Sequence, residues 1–162
     1  MKLAHARLIA LLASLGLFSC LTGVGFAQND PQVGVWKLNL AKSKYTPGPG
    51  PKSATTKIEA VGAGTKVTVD QVMADGTTRH YEFTTDYDGK DSKVVGNNPD
   101  ADMVARTRVN ANTVQTVSKK AGKVTTTQLS VVSSDGKTRT VTTKGVGSNG
   151  QVVSNTAVYD KQ

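Results

Sequence analysis

Outside the first 27 residues the chain has a single histidine, His80, so any histidine-dependent chemistry would run through it. It lies in an alternating stretch that puts Thr78, His80, Glu82 and Thr84 on one face and Arg79, Tyr81 and Phe83 on the other. The polar face reads as solvent-facing. No serine stands in a nucleophile-elbow context and no acid can be assigned to orient the ring, so no hydrolytic triad assembles. Zinc would need a cluster of His and Cys that is absent. Asn97, Asn98, Asp100 and Asp102 offer oxygens, but their spacing lacks the glycine and distal glutamate of a calcium loop, and turn formation accounts for them. No metal and no cofactor is expected, and the chain is not expected to be an enzyme.

What remains is a basic residue on an apolar face. Arg79 alternates with Tyr81 and Phe83, and Arg139 alternates with Val141, so either guanidinium can point inward. A buried guanidinium is costly unless it meets an anion, and a carboxylate or sulfate head group would satisfy it in bidentate fashion. The competing reading leaves each stem on the core and each head in water near a strand end. Thr138, Thr140 and Thr142, beside Thr125 and Thr127, resemble the flat threonine arrays of ice-binding surfaces. Threonine is also an ordinary strand former, and a curved sheet would not present a flat array.

The elements that must position these residues are all strands. From Gln32 to Tyr159 short Val- and Thr-rich runs alternate with glycine turns, and no helical period occurs. Asp75-Gly76, Asp88-Gly89, Asp135-Gly136 and Asn149-Gly150 are hairpin signals, because these residues accept the positive φ of tight turns. Strands are expected near 33–40, 53–61, 65–73, 77–85, 91–95, 103–109, 113–120, 123–133, 137–144 and 151–159. The fold class is therefore all-β, an antiparallel up-and-down meander of about ten strands. Closure into a barrel removes the two long edges that an open sheet would expose, and a two-sheet sandwich is the alternative. Pro47-Gly48-Pro49-Gly50-Pro51, within the segment 41–52, can join neither ladder nor helix and is expected as a surface loop. The segment 96–102 is a second break, and both loops suit the rim of a barrel where ligands enter.

The first 27 residues read as a secretory signal peptide, with Lys2 and Arg7 ahead of an apolar run from Leu8 to Phe18. Two cuts compete. Gly25-Phe26-Ala27 would release a soluble periplasmic or secreted domain beginning at Gln28. Leu17-Phe18-Ser19-Cys20 resembles a lipoprotein box and would leave a lipid on Cys20; the mass of the mature terminus separates the two. Cys20 is the only cysteine, so the mature domain can form no disulfide. Residues 28–162 make one domain, about 135 residues, of a size that buries a real core. Setting Lys2 and Arg7 aside leaves 18 basic residues against 12 acidic ones, a net charge of +6. Acidic residues are interspersed and no basic run occurs, which argues against a nucleic-acid partner. No membrane span is expected, and a monomer is.

Gly34-Val35-Trp36-Lys37-Leu38 at the start and Ala157-Val158-Tyr159-Asp160-Lys161 at the end resemble the ends of calycins, the superfamily of lipocalins and fatty-acid-binding proteins. The Lys44-Tyr45-Thr46-Pro47-Gly48 and Val158-Tyr159-Asp160-Lys161 pieces also resemble small secreted bacterial lipocalin-like proteins. The resemblance implies a β-barrel that holds an apolar or amphipathic molecule. It implies that Trp36, placed on a face with Leu38 and Leu40, closes one end. Fatty-acid-binding proteins hold the ligand carboxylate with an Arg-x-Tyr pair on the last strand; here Tyr159 keeps the tyrosine and Ala157 replaces the arginine. The arginine that in lipocalins packs over the Trp is likewise missing. The expected function is non-catalytic binding of a small apolar or amphipathic ligand, with Arg79, Tyr81, Phe83, Arg139 and Tyr159 as the candidate site. A structural or surface-interaction domain without a small-molecule ligand is the alternative.

Overall fold

The computed structural model describes residues 30–162; the expected signal segment, both candidate cleavage sites and Cys20 lie outside the described residues. The described chain contains eleven strands: β1 Gly34–Lys44, β2 Ser53–Val61, β3 Gly64–Val72, β4 Thr78–Thr85, β5 Asp88–Lys93, β6 Val95–Gly96, β7 Met103–Asn110, β8 Thr113–Lys120, β9 Lys123–Val132, β10 Thr138–Val146 and β11 Val152–Lys161. Every pairing is antiparallel, in the order β5-β7-β8-β9-β10-β11-β1-β2-β3-β4-β6. The two ends of that order, β5 and β6, are neighbours in sequence with only Val94 between them. The chain itself thus carries the sheet round into a nearly closed barrel.

Turn chemistry sets three of the four indicated hairpins; Asp88-Gly89 instead opens β5, which pairs with β7 and not with β4. In the β3–β4 turn the Asp75 carboxylate accepts from the Thr77 backbone N–H at 2.9 Å and from its hydroxyl at 2.7 Å, and Gly76 takes the required positive φ of 90°.

Closure is incomplete at one seam. β5 pairs with β7, whereas β4 meets β6 only through Tyr81 with Gly96 and Glu82 with Val95. Gly96 has φ 105°, and a side chain there would collide with the His80 carbonyl, so glycine is what lets β6 approach β4. Beyond those two pairs Asn97 donates its N–H to the His80 carbonyl at 2.7 Å and its Nδ2 to the Thr78 carbonyl, and the rest of the seam is packed: Val94, Ala101 and Val104 are buried, with Tyr81 and Phe83 against them.

Two strand expectations change as well. The single strand expected at 91–95 is divided into β5 and β6, because the chain exchanges one partner strand for another at Val94. The first strand runs to Lys44 through a register shift after Asn39, where the Ser43 hydroxyl donates to the Asn39 carbonyl and accepts from the Val158 N–H. That irregularity turns Leu40 away from the face of Trp36 and Leu38, and Leu40 is 50% exposed.

The main core joins Trp36, Leu38, Ala54, Ile58, Val67, Val69, Val132, Val141, Ala157 and Tyr159. Trp36, bonded to Gln32, closes the end that holds the chain's first described residues, while Val67, Val69, Val141, Ala157 and Tyr159 of the same core line the barrel's cavity.

Candidate functional site

The closed end is tied by the turn that precedes β1. The buried Asp30 carboxylate accepts from the Gln32 backbone N–H at 3.0 Å, the Tyr87 hydroxyl at 2.7 Å and Arg108 Nη2 at 2.6 Å. Gln32, fully buried, donates through Nε2 to the carbonyls of Asn112 and Ser130 and accepts the Ser130 hydroxyl at 2.9 Å. Trp36 Nε1 donates to the Gln32 carbonyl at 2.8 Å. The Lys161 ammonium stands 5.0 Å from the centre of the Trp36 ring, its stem passing over Gly34, where a Cβ would come within 2.5 Å of it. The cation that covers this Trp is therefore a lysine, two residues past the strand end expected at residue 159.

Burial alone would raise the Asp30 carboxyl, but the hydrogen bonds from Arg108, Tyr87 and Gln32 outweigh it and hold the group below its ordinary value. Asp30 therefore stabilises the fold above the unfolded carboxyl pKa of about 3.9, and that stabilisation is lost as pH falls through the lower folded value. Asp30→Asn should melt below wild type at pH 7, with the gap closing as the pH is taken into the range below about 4. Equal melting temperatures at pH 7 would contradict this role.

Above the closed end the barrel encloses a cavity of about 540 Å³. Arg79, Tyr81 and Phe83 of β4, Arg139 of β10 and Tyr159 of β11 all line it. The two arginines differ in their surroundings. Arg79 is at the mouth, where its Nη1 donates to Asp100 Oδ2 at 3.2 Å and its charge is already matched. Arg139 is 8% exposed and lies 5.6 Å from the centre of the Tyr159 ring; its Nε donates to the Ser130 hydroxyl at 2.7 Å.

A third arginine, which sequence reasoning passed over, also lines the cavity. Arg106 of β7 is 2% exposed, donates through Nη1 to the Thr65 hydroxyl at 2.9 Å, and lies 4.8 Å from the Tyr87 ring and 6.0 Å from the Phe83 ring. Its Nε has no hydrogen-bond partner among the described residues. The signal was available, since Val104 and Arg106 alternate just as Phe83 and Arg79 do.

The charges at this depth do not cancel. Asp30 is the only acid among the described buried residues, and it is bound to Arg108. Burial lowers Arg106 below the ordinary arginine value and pushes Arg139 down to about 10, the latter helped by the charge of Arg106 and opposed by Tyr159. A guanidinium keeps its proton in proteins, so both are cations at neutral pH. Tyr159 and Tyr81 are displaced upward by burial and stay neutral, able to donate. The interior thus presents two cationic forks whose hydrogen-bond partners are neutral hydroxyls.

The mouth is framed by the two loops the sequence marked. The proline segment is held to β11 by the Thr46 N–H donating to Asn155 Oδ1 at 2.9 Å and by the Ser154 N–H donating to the Thr46 carbonyl at 2.8 Å. Opposite it, Asp100 accepts Arg79 on one carboxylate oxygen and the Ser148 N–H and hydroxyl on the other, while its carbonyl accepts the Thr125 hydroxyl. Asp100 thereby joins β4, β9 and the β10–β11 turn.

Of the remaining candidates, Asn98 lines the cavity beside Asp100 and the others fall outside it. His80 Nδ1 lies 2.6 Å from Asp70 Oδ1 on the outer face, with both side chains more than 60% exposed. The structure thus supplies the acid the sequence could not assign, as a cross-strand neighbour in open solvent. Asn98 caps the Asp100 N–H, and Asp102 accepts the Ala121 N–H. Among the described residues no group of three His, Cys, Asp or Glu is placed to hold a metal ion. The threonine rows do not form a lattice: Thr142 faces Leu129, and Thr127 faces Lys144. Among the described residues no helix is long and apolar enough to cross a membrane. No protein-family model, curated protein or solved structure matches the chain.

Proposed function

We propose that this barrel is a non-catalytic binding protein for a small amphipathic anion, exported to the periplasm or beyond. The observation that carries the reading is the pair Arg106 and Arg139, buried and facing one cavity of about 540 Å³, with no acid of their own. Cavities of roughly 300–1,000 Å³ suit small ligands. Two uncompensated guanidiniums are an expensive interior, and a carboxylate seated between them repays that cost by charge-assisted hydrogen bonding. Tyr81, Phe83, Val67 and Val69 provide the apolar contact for the body of the ligand, and Tyr159 stacks beside Arg139. The calycin resemblance agrees with this use of a barrel, with the carboxylate partner moved from the last strand to β7 and β10. The domain acts as a monomer, without nucleic acid, metal or cofactor.

A fluorescence titration with dodecanoate and with dodecanol, its neutral analogue, tests the reading. The acid should bind at least about tenfold more tightly, because the alcohol leaves both charges unmatched. Equal affinities, or no saturable binding of either, would reject it in favour of a structural or surface-interaction domain without a small-molecule ligand.

A further inference from the structure

The cavity has two unlike walls. On one side, cavity-facing residues of β3 and β4 pair directly across the strands, Val67 with Phe83 and Val69 with Tyr81. On the other side a single registered row crosses five strands, Arg106 of β7 opposite Thr116 of β8, then Gln128 of β9, Thr143 of β10 and Asn155 of β11. All five line the cavity, and Ser118 with Thr126 forms a second polar pair beside them. Adjacent strands are about 4.8 Å apart, so the four steps of the row cover about 19 Å. The row begins at a buried guanidinium and ends at Asn155, which holds the mouth loop.

This polarity is not what the fold needs. Over residues 126–131 of β9 the usual pattern is reversed: Thr126, Gln128 and Ser130 are buried or half-buried on the inner side, while Leu129 and Val131 stand 40% and 39% exposed on the outer, and only Val132 at the strand end restores an apolar inner residue. A barrel built only to pack, or to hold a plain alkyl chain, would place those apolar residues inside. Departures from local rules concentrate where function requires them.

We propose that the natural ligand is a carboxylic acid that carries hydroxyl groups along one side of an otherwise apolar body. The carboxylate meets Arg106 and Arg139, the hydroxyls meet Thr116, Gln128 and Thr143, and the bare side lies on Val67, Val69, Tyr81 and Phe83. This inference rests on the anion-binding reading and names the class of anion.

Stearate and 9,10-dihydroxystearate are a matched pair, alike in chain length and charge, with the added hydroxyls in mid-chain. In calorimetric titrations the dihydroxy acid should bind wild type at least about tenfold more tightly, since a site built to hydrogen-bond a hydroxyl discriminates against the analogue without it. Gln128→Leu and Thr143→Val, which replace interior polar groups by apolar ones of similar size, should bring the ratio of the two affinities close to one. Stearate binding wild type as tightly as the dihydroxy acid would overturn the inference and leave the anion site standing. So would variants that keep the wild-type ratio. Failure of both acids to bind would overturn the anion-binding reading as well.

Discussion

Trp36→Ala should cost about 3–5 kcal/mol of unfolding free energy, the range for truncating a large buried aromatic. Trp36 is fully buried, and three parts of the closed end depend on it. Its indole N–H fixes the Gln32 carbonyl, and the Gln32 side chain in turn bridges the Asn112 and Ser130 carbonyls. Its ring also carries the Lys161 ammonium. Removing the ring leaves a cavity, an unpaired carbonyl and an uncovered Lys161 ammonium together. Urea denaturation measures the loss. A variant within about 1 kcal/mol of wild type would show that the first strand does not seal the barrel.

Arg106→Met and Arg139→Met should each weaken a carboxylate ligand by about 2–5 kcal/mol, because each would leave the buried head group short of a charged partner. The same substitutions remove a costly buried charge, so in the absence of ligand both variants should unfold at or above the wild-type temperature. The combination separates a binding role from a structural one. Arg79→Met should have little effect on affinity, since Arg79 is matched by Asp100 at the mouth, and Lys119→Ala should have little effect because Lys119 is paired with Asp91 on the outside. Titration and thermal melting of the four variants decide the matter. Loss of binding in Arg79→Met equal to that in Arg139→Met, or unfolding of Arg139→Met, would contradict the assignment.

Strand existence and the hairpins at Asp75-Gly76, Asp135-Gly136 and Asn149-Gly150 were legible because they depend on neighbours in sequence, whereas Asp88-Gly89 lies within a strand that pairs elsewhere. The alternation Arg79-His80-Tyr81-Glu82-Phe83 and the turns Asp75-Gly76 and Asp135-Gly136 need no tertiary information to be read. The division at Val94 depends on which strand stands beside it, and nothing within the run Lys93-Val94-Val95-Gly96 announces a change of partner. Leu40 departs from the expected face for a related reason: a register shift follows Asn39, where the Ser43 hydroxyl meets the Val158 N–H, a partner distant in the chain. In the cavity, face alternation pointed Arg79 and Arg139 inward, but it could not tell that Asp100 would neutralise the first and leave the second without an acid. Asp30 precedes the first strand and carries no local pattern, yet it binds Arg108, which is 78 residues away in the chain. Pairings at that separation are products of closure.

The central claim is that a carboxylate can sit beside Arg106 and Arg139 inside the barrel. Carbon-13 NMR of dodecanoate labelled at its carboxyl carbon, mixed with the folded protein, reads that environment directly. A free fatty carboxyl titrates near pH 4 to 5, in the range of ordinary carboxyl groups. The account predicts a bound resonance, separate from the free one, that stays in its ionised position as the pH is lowered through about 4, because adjacent guanidiniums favour the charged form. A resonance that titrates with the free acid, or none distinct from it, would contradict the account.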